Sequence, residues 1–115
     1  MTIVEDKKYH LYNGDKLIGS FTLLSSKDKY LVTLIDGLDD YEVPIDFMMK
    51  YIEGRREFRG QEVFEWIQDR VIPSGRQNID EILRKMNLPE YDELGIFMYF
   101  NGKCCRDSYR IEEIK

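Results

Sequence analysis

The sequence is poor in the residues that build catalytic, metal and disulfide sites. It contains one histidine, His10, and two cysteines, the adjacent Cys104 and Cys105. Adjacent cysteines on a strand point to opposite faces, so a disulfide between them would be strained. Two thiols do not complete a zinc site. We therefore expect two reduced cysteines and no bound metal or cofactor.

Long apolar runs are also missing. The first residues lack the continuous apolar stretch of a signal peptide, and no later run approaches the roughly 20 residues of a membrane span. We expect a cytoplasmic protein without a membrane segment. The length of 115 residues supports one hydrophobic core and not two, which predicts a single domain over residues 1–115.

Motifs for nucleotide binding and catalysis are absent. Gly14 and Gly19 have the separation of glycines in a phosphate-binding loop, but Ser20 and Phe21 stand where that motif requires a lysine followed by serine or threonine. His10 has no nucleophile near it in the sequence to activate. We expect a non-enzymatic protein, with an enzyme as the least supported class.

Positive charge is scarcer than negative charge. The chain has 17 Lys and Arg residues against 22 Asp and Glu residues, which gives a net charge of -5. Nonspecific nucleic-acid binding needs clustered cations that displace counterions from the phosphates. The charge balance therefore disfavours nucleic acid and favours a protein partner with a basic surface.

Carboxylates are concentrated between the first strands and the first helix. Their spacing lacks the alternate ligands, central glycine and terminal glutamate of a calcium loop. We therefore expect a solvated acidic face or one that meets a basic partner. This acidic segment consists of Asp36, Asp39, Asp40, Glu42 and Asp46.

The N-terminal third predicts three strands. An asparagine–glycine pair at 13–14 tolerates the positive φ of a tight turn and predicts a hairpin of residues 8–12 and 16–24. Gly19 predicts a bulge in the second of these strands. A run rich in Leu, Val, Thr and Ile predicts a strand over residues 29–35, central in its sheet and covered on both faces.

Three segments have apolar residues at helical spacing. Pro44 suits the first turn of a helix that ends near Gly54, and residues 61–86 predict two short helices separated by Pro73. The apolar sets are Ile45, Met48, Met49 and Ile52; Val63, Phe64, Ile67 and Val71; and Ile79, Ile82, Leu83 and Met86. Two capping boxes are alternative starts for the last helix, Ser74 with Gln77 or Asn78 with Glu81.

A second asparagine–glycine pair, at 101–102, predicts a second hairpin of residues 95–100 and 103–111. Together these elements predict an α+β fold. We expect an antiparallel sheet built from the N-terminal and C-terminal hairpins, with about three short helices packed between them or on one face.

Aromatic and basic residues in charged surroundings are the remaining contact candidates. Tyr41, Tyr51 and Tyr91 are tyrosines of this kind. Arg70 and Arg76 have two interpretations: bonds to helix-end carbonyls or to a carboxylate such as Asp107, or an outward grip on an acidic partner. The candidate partner-binding residues are Asp36, Asp39, Asp40, Glu42, Asp46, Tyr41, Tyr51, Arg70 and Arg76.

One pattern resembles a known family. The motifs are Trp66-x3-Arg70-x2-Pro73-x2-Arg76-x2-Ile79 and Gly102-x4-Asp107-x-Tyr109-x-Ile111. Over roughly residues 45–111 they resemble the segment that precedes the kinase body in HipA-like serine/threonine kinases, although Arg110 stands where an aromatic residue is expected. The catalytic lysine and aspartates of such kinases lie in a large body that this chain does not contain, so no catalytic residue is carried over. The resemblance implies a binding or regulatory piece, similar to the small subunit that restrains the toxin in three-component HipA-like toxin–antitoxin systems.

These observations give a leading function. We expect a non-enzymatic protein that docks on a partner enzyme and regulates or inhibits it. A sharper form is an anti-CRISPR-like inhibitor of a bacterial defence nuclease, encoded by a phage or mobile element, because a small acidic protein can occupy a basic nucleic-acid groove.

Two alternatives concern other partners. Residues 61–86 could act as a helix-turn-helix-like unit of a small nucleic-acid-binding regulator, with Arg70, Arg76, Arg84 and Lys85 facing phosphate. An exposed strand edge of either hairpin could pair with a second copy and form a homodimer.

Overall fold

The chain folds around a five-stranded antiparallel sheet in the order β4-β3-β2-β1-β5. The computed structural model describes residues 7–25, 29–104 and 107–114. The strands are β1 (Lys7–Asn13), β2 (Lys16–Leu23), β3 (Tyr30–Leu34), β4 (Glu57–Arg59) and β5 (Tyr109–Glu113). The helices are α1 (Ile45–Ile52), α2 (Gln61–Arg70), α3 (Ile79–Lys85) and α4 (Glu93–Tyr99), with a 3-10 turn at Asp40–Glu42. The predicted α+β class is confirmed.

The N-terminal hairpin forms as predicted, including its bulge. Leu11 pairs with Gly19 while the next residue, Tyr12, pairs with Leu17, so β2 contains one extra residue at this point. Glycine is required there because a Cβ atom on Gly19 would lie 2.0 Å from the backbone oxygen of Thr33 in β3. The bulge thus lets two strands approach closely.

β3 lies inside the sheet, between β2 and β4, as expected for a central strand. Val32 and Leu34 are buried on the face that the helices cover. Leu31 on the other face is only half-buried, and Ile35, just past the strand, is 43% exposed. The expectation of full cover on both faces is therefore wrong.

The predicted C-terminal hairpin is wrong: its first strand is helix α4. Asn101 (φ 54°) and Gly102 (φ 75°) end this helix instead of turning a hairpin. The Gly102 N–H donates to the Phe97 oxygen at 2.8 Å, and the Asn101 N–H donates to the Met98 oxygen at 3.1 Å, which is a Schellman motif. A tight hairpin turn and the end of a helix both need residues with positive φ, which an asparagine–glycine pair adopts readily. The dipeptide alone therefore does not distinguish a hairpin from a helix end. β5 pairs with β1 instead.

β4 is a short edge strand that the sequence did not predict. Its central residue, Phe58, is fully buried and pairs with Val32. One apolar residue between charged neighbours is too short a signal for a strand.

Pro73 separates α2 from α3, as predicted, but neither capping box forms. α3 begins after Asn78, whose φ of 64° is left-handed and whose side chain makes no capping hydrogen bond. In the connection before it, the Arg76 N–H donates to the Pro73 oxygen at 3.1 Å. This turn directs the chain into α3 without the help of Ser74.

A chain of aromatic contacts joins α1, α2 and α4 to the sheet. The Phe47 ring lies 4.5 Å from that of Phe58 and 5.7 Å from that of Trp66, measured between centroids. Trp66 lies 5.6 Å from Phe97, which lies 5.3 Å from Phe21. Large rings in tilted and stacked pairs contribute much of the buried apolar area. The helices are thereby fixed on one face of the sheet.

Candidate partner-binding surface

Helix α1 turns an apolar stripe towards solvent. Phe47 and Tyr51, four residues apart, are buried against the core. Ile45, Met49 and Ile52 lie on another side of the helix and are 81%, 66% and 55% exposed. The spacing of this stripe correctly predicted the helix, but such a stripe ordinarily marks the buried face. The two aromatic residues occupy the core instead.

Tyr41 extends this stripe beyond the helix. It lies in the 3-10 turn, is 80% exposed, and its hydroxyl donates to the Asp39 carboxylate at 3.1 Å. We define the α1 surface as Tyr41, Ile45, Met49 and Ile52. Contiguous exposed apolar side chains are typical of contact sites in soluble proteins.

A cleft of about 660 Å³ adjoins the α1 surface. Its apolar lining includes Val43, Pro44, Met48, Trp66 and Tyr109, and its carboxylates are Asp40, Asp46, Asp69 and Asp107. We call it the acidic cleft. Because Tyr41 and Ile45 also line it, the cleft and the α1 surface are continuous.

Two of these carboxylates meet across the helix pair. Asp46 of α1 and Asp69 of α2 both line the cleft. Burial, followed by the interaction with Asp69, raises the pKa of Asp46, and Arg70 opposes the effect. Neighbouring carboxylates repel each other when both are ionised. A positive charge beside them would relieve this repulsion.

Arg70 has the structural role that the sequence suggested. Its side chain is only 4% exposed and forms a two-pronged pair with Asp107 at 2.7 and 2.8 Å. It also donates to the oxygens of Gly102 and Tyr109 and lies over the rings of Trp66 and Tyr109. These contacts connect α2 to β5, so the alternative of an outward grip on an acidic partner does not fit the geometry.

Tyr109 lines the acidic cleft. Burial, with a smaller contribution from Asp107, raises the pKa of Tyr109 to about 12. Its hydroxyl therefore stays protonated and donates to the Glu42 backbone oxygen at 3.2 Å. This bond connects β5 to the 3-10 turn. Trp66, Arg70, Asp107 and Tyr109, all part of the two sequence motifs defined above, thus form one contact cluster.

The carboxylates of the acidic segment have different roles in the structure. Glu42 accepts from the Asp39 N–H at 2.9 Å and pairs with Lys16 at 2.6 Å. The hydrogen bond from Lys16, then that from Asp39, lowers the pKa of Glu42. Asp36 is 90% exposed and pairs with Arg56 at 2.7 Å. Asp40 and Asp46, by contrast, line the acidic cleft.

Tyr51 lies in the core and not on the surface where the sequence suggested a contact. It is 6% exposed. Its hydroxyl donates to the Ile35 oxygen at 2.5 Å and accepts from the Leu38 N–H at 3.1 Å. The guanidinium of Arg56 lies 3.8 Å from the ring centroid. The charged neighbours of Tyr51 in sequence lie around the rest of the helix, so they gave a misleading signal.

The other residues considered in the sequence lie away from the acidic cleft or outside the described residues. Tyr91 is half-buried and donates to the Ile72 oxygen at 2.8 Å. Arg76 is exposed in the connection between α2 and α3 and lines a second cleft with Phe100. His10 is half-buried, with its ring edge towards Tyr12. Cys104 is half-exposed, and Cys105 lies outside the described residues.

Sequence reasoning missed Asp69 and the outward direction of the α1 stripe. One signal was available: α1 carries two apolar sets, Phe47 with Tyr51 and Ile45 with Met49 and Ile52, and a surface helix needs only one. The meeting of Asp69 with Asp46 had no local signal, because it depends on how α1 and α2 pack.

The geometry of α2 and α3 differs from a helix-turn-helix unit. Residues 71–78 separate the two helices, whereas that motif uses a turn of roughly three or four residues. Arg84 and Lys85 are exposed at the end of α3, but Arg70 is buried. The four cations of the nucleic-acid hypothesis therefore do not form one surface.

The fold and the site define a class: an α+β protein whose helices cover one face of an antiparallel sheet and whose first helix exposes an apolar stripe beside an acidic cleft. Compared with known proteins, the chain matches no protein-family model and no curated protein. Within the described residues, no helix has the length and apolar character of a membrane span. Among the same residues, no three His, Cys, Asp or Glu side chains are grouped as metal ligands.

Proposed function

We propose that this chain is a non-enzymatic regulator that docks on a partner protein through the α1 surface. The observation that carries the proposal is the exposure of Ile45, Met49 and Ile52 on one side of α1, together with Tyr41, which is exposed and lines the same cleft as Ile45. Tyrosine and methionine are enriched at protein interfaces, and an exposed apolar line is ordinarily covered by a partner. Other apolar side chains are also exposed, Tyr99 and Phe100 among them, but at 54% and 40% they are less exposed than Ile45 and Met49 at 81% and 66%.

Charge indicates what kind of partner fits. Asp40 and Asp46 lie beside the stripe, and the whole chain has a net charge of -5. A basic surface would be attracted and oriented by this field. An enzyme that binds nucleic acid has such a surface, which supports the proposal of a defence-nuclease inhibitor of the anti-CRISPR type. A restraining subunit for a HipA-like kinase is a second form of the same proposal, supported by the motif resemblance.

The test compares partner capture by three versions of the tagged protein. The α1 surface is disrupted in the double variant Ile45→Asp/Met49→Asp, and the control is Tyr99→Asp, an aromatic residue 54% exposed on α4. Lysate of the native cell, treated with nuclease, is passed over each version and the bound protein is quantified by mass spectrometry. Because all three positions are exposed, we expect stability changes within about 0.5 kcal/mol, checked by thermal unfolding.

We expect one partner protein in stoichiometric amount that is retained by the wild type and by Tyr99→Asp and is lost by the double variant. Equal recovery by the double variant would show that the α1 surface is not the docking site. Recovery of nucleic acid, or of proteins that disappear on nuclease treatment, would favour the nucleic-acid-binding alternative.

A further inference from the structure

We propose that the partner segment on the α1 surface is a basic amphipathic helix, which packs its apolar side chains along Ile45, Met49 and Ile52 and inserts a lysine or arginine into the acidic cleft. This inference rests on the proposed function and adds the chemistry of the partner. It follows from the shape of the exposed stripe, the lining of the adjoining cleft and the charges at its mouth.

The stripe has the dimensions of a helix–helix contact. Ile45, Met49 and Ile52 occupy positions i, i+4 and i+7, which spans about 10 Å at the rise of an α-helix. Helix-in-groove recognition uses anchors at this spacing. Within the described residues no side chain covers the stripe, as the exposures of 81%, 66% and 55% show. An apolar face of equal length on a partner helix would match it.

The cleft is built to receive a long cationic side chain. Trp66, Tyr109 and Met48 give it apolar walls, along which the methylene stem of lysine or arginine packs well. Asp46 of α1 and Asp69 of α2 both line this cleft, so two carboxylates from neighbouring helices face the same space. A cation between them would replace a repulsive pair with two attractive contacts.

The other carboxylates of the cleft differ in availability. Asp107 is already engaged by Arg70. Asp40 is exposed on the 3-10 turn beside Tyr41, where it can meet a second basic residue of the partner. Because Ile45 lines both the stripe and the cleft, a basic residue one turn from the apolar anchors of the partner helix reaches the cleft.

The same charges argue against a lipid surface as the occupant of the stripe. Amphipathic helices that bind membranes carry lysine and arginine on their polar face, which anionic headgroups attract. Here the residues that flank the stripe on the cleft side are Asp40, Asp46 and Asp69, which anionic headgroups repel. A basic protein segment therefore satisfies both the apolar and the charged parts of the surface.

The test uses two fluorescent helical peptides with leucines along one face. The remaining positions are lysine in the first peptide and glutamate in the second. Fluorescence anisotropy measures the affinity of each for the wild type and for two neutralised variants. Asp46→Asn/Asp69→Asn removes the charge of the pair, and Asp80→Asn/Glu81→Gln removes the same charge from exposed positions of α3.

We expect the lysine peptide to bind the wild type and the α3 control with similar affinity. Binding should weaken about tenfold or more in Asp46→Asn/Asp69→Asn and in Ile45→Asp/Met49→Asp, since both contacts lie at the centre of the interface. The glutamate peptide and vesicles with anionic lipid should not bind. Equal losses in the cleft variant and the α3 control would show that only net charge matters and would overturn the inference, as would binding of the glutamate peptide or of the vesicles.

The two experiments distinguish an error in the inference about the partner helix from an error in the proposed docking function. If the lysate partner is captured through the α1 surface but the lysine peptide does not bind, the inference about the partner is wrong and the docking function stands. If neither binds through the α1 surface, the docking function itself is wrong.

Discussion

At the scale of single residues, the polar groups of this protein act mainly as anchors. Arg70 donates to the backbone oxygens of Gly102 and Tyr109, and Tyr51 bonds to the backbone of residues 35 and 38. Arg70 could be predicted, because a cation near a chain reversal commonly bonds to nearby carbonyls. Tyr51 could not, because charged neighbours in the sequence do not show which way a helix turns.

The Tyr51 hydroxyl provides a direct test of this anchoring role. Tyr51→Phe leaves the Ile35 oxygen and the Leu38 N–H without their side-chain partner, which should lower the free energy of unfolding by about 1–3 kcal/mol. The matched control is Tyr41→Phe, whose hydroxyl bonds only to the exposed Asp39 and which should cost less than about 0.5 kcal/mol. Urea unfolding measures both. Equal losses would contradict the assignment of Tyr51 to a structural role.

The Asp46–Asp69 pair predicts a stability that depends on pH. The pKa of Asp46 is raised in the folded chain above its usual 3.8, first by burial and then by Asp69. The folded state therefore binds the proton more tightly than the unfolded state, and stability falls as pH rises from 3.8 through the raised pKa. Asp69→Asn removes the repulsion, so its Tm should exceed that of the wild type at neutral pH.

Water screens this exposed pair, so we expect the gain at neutral pH to stay below about 1 kcal/mol. It should disappear at a pH well below 3.8, where Asp46 is protonated and no longer repels a neighbouring carboxylate. Glu90→Gln, a neutralisation in an exposed loop, is the control and should show no such pH-dependent gain. A gain for Asp69→Asn that is the same at both pH values would contradict the proton-binding explanation.

At the scale of elements, periodicity located the helices better than turn residues located the strands. α1, α2 and α3 follow from apolar residues at helical spacing. α4 also contains apolar residues at this spacing, Leu94, Phe97 and Met98, but the asparagine–glycine pair after it gave a stronger signal for a hairpin. The apolar spacing was the better guide, because these side chains pack against the common core.

A substitution at Gly102 tests whether the Asn101–Gly102 pair ends helix α4. Its φ is 75°, and a Cβ atom there would lie 3.1 Å from the Phe97 ring. Gly102→Ala should therefore cost about 1–3 kcal/mol of unfolding free energy. Gly75→Ala is the control, because Gly75 has open space around it and no positive φ, and it should be close to neutral. Thermal or urea unfolding compares them, and equal stability of the two variants would contradict the structure of this turn.

At the scale of the whole molecule, net charge and the partly paired edge of β5 oppose self-association. The Ile111 N–H donates to the Asn101 oxygen, and the Tyr109 oxygen accepts from Arg70, so part of the outer edge of β5 is already paired. Two copies meeting through their α1 surfaces would bring like charges together. We therefore predict that, at low ionic strength, the homodimer that the sequence left open does not form through the α1 surface.

We accordingly predict a monomer at low ionic strength, measured by sedimentation equilibrium. In 1 M salt the Debye length falls to roughly 3 Å, which screens the repulsion between the carboxylates of two copies. Any weak dimer formed through the α1 surface should therefore appear only at high salt. Such a dimer should be absent in Ile45→Asp/Met49→Asp and present in Tyr99→Asp. A dimer that is equally stable at low salt and in the double variant would show that another surface associates.

The sequence by itself determined the features whose cause is local. The first hairpin, its bulge at Gly19, and helices α1, α2 and α3 with the break at Pro73 were all predicted from nearby residues. The pairing of Arg70 with Asp107, 37 residues away, was one of two interpretations, and the structure chose between them. Only the tertiary structure decided that β5 pairs with β1, that α1 turns Ile45 and Met49 outwards, and that Asp46 meets Asp69. Periodicity fixes which residues share a face of a helix, but packing against the rest of the chain decides which face is buried.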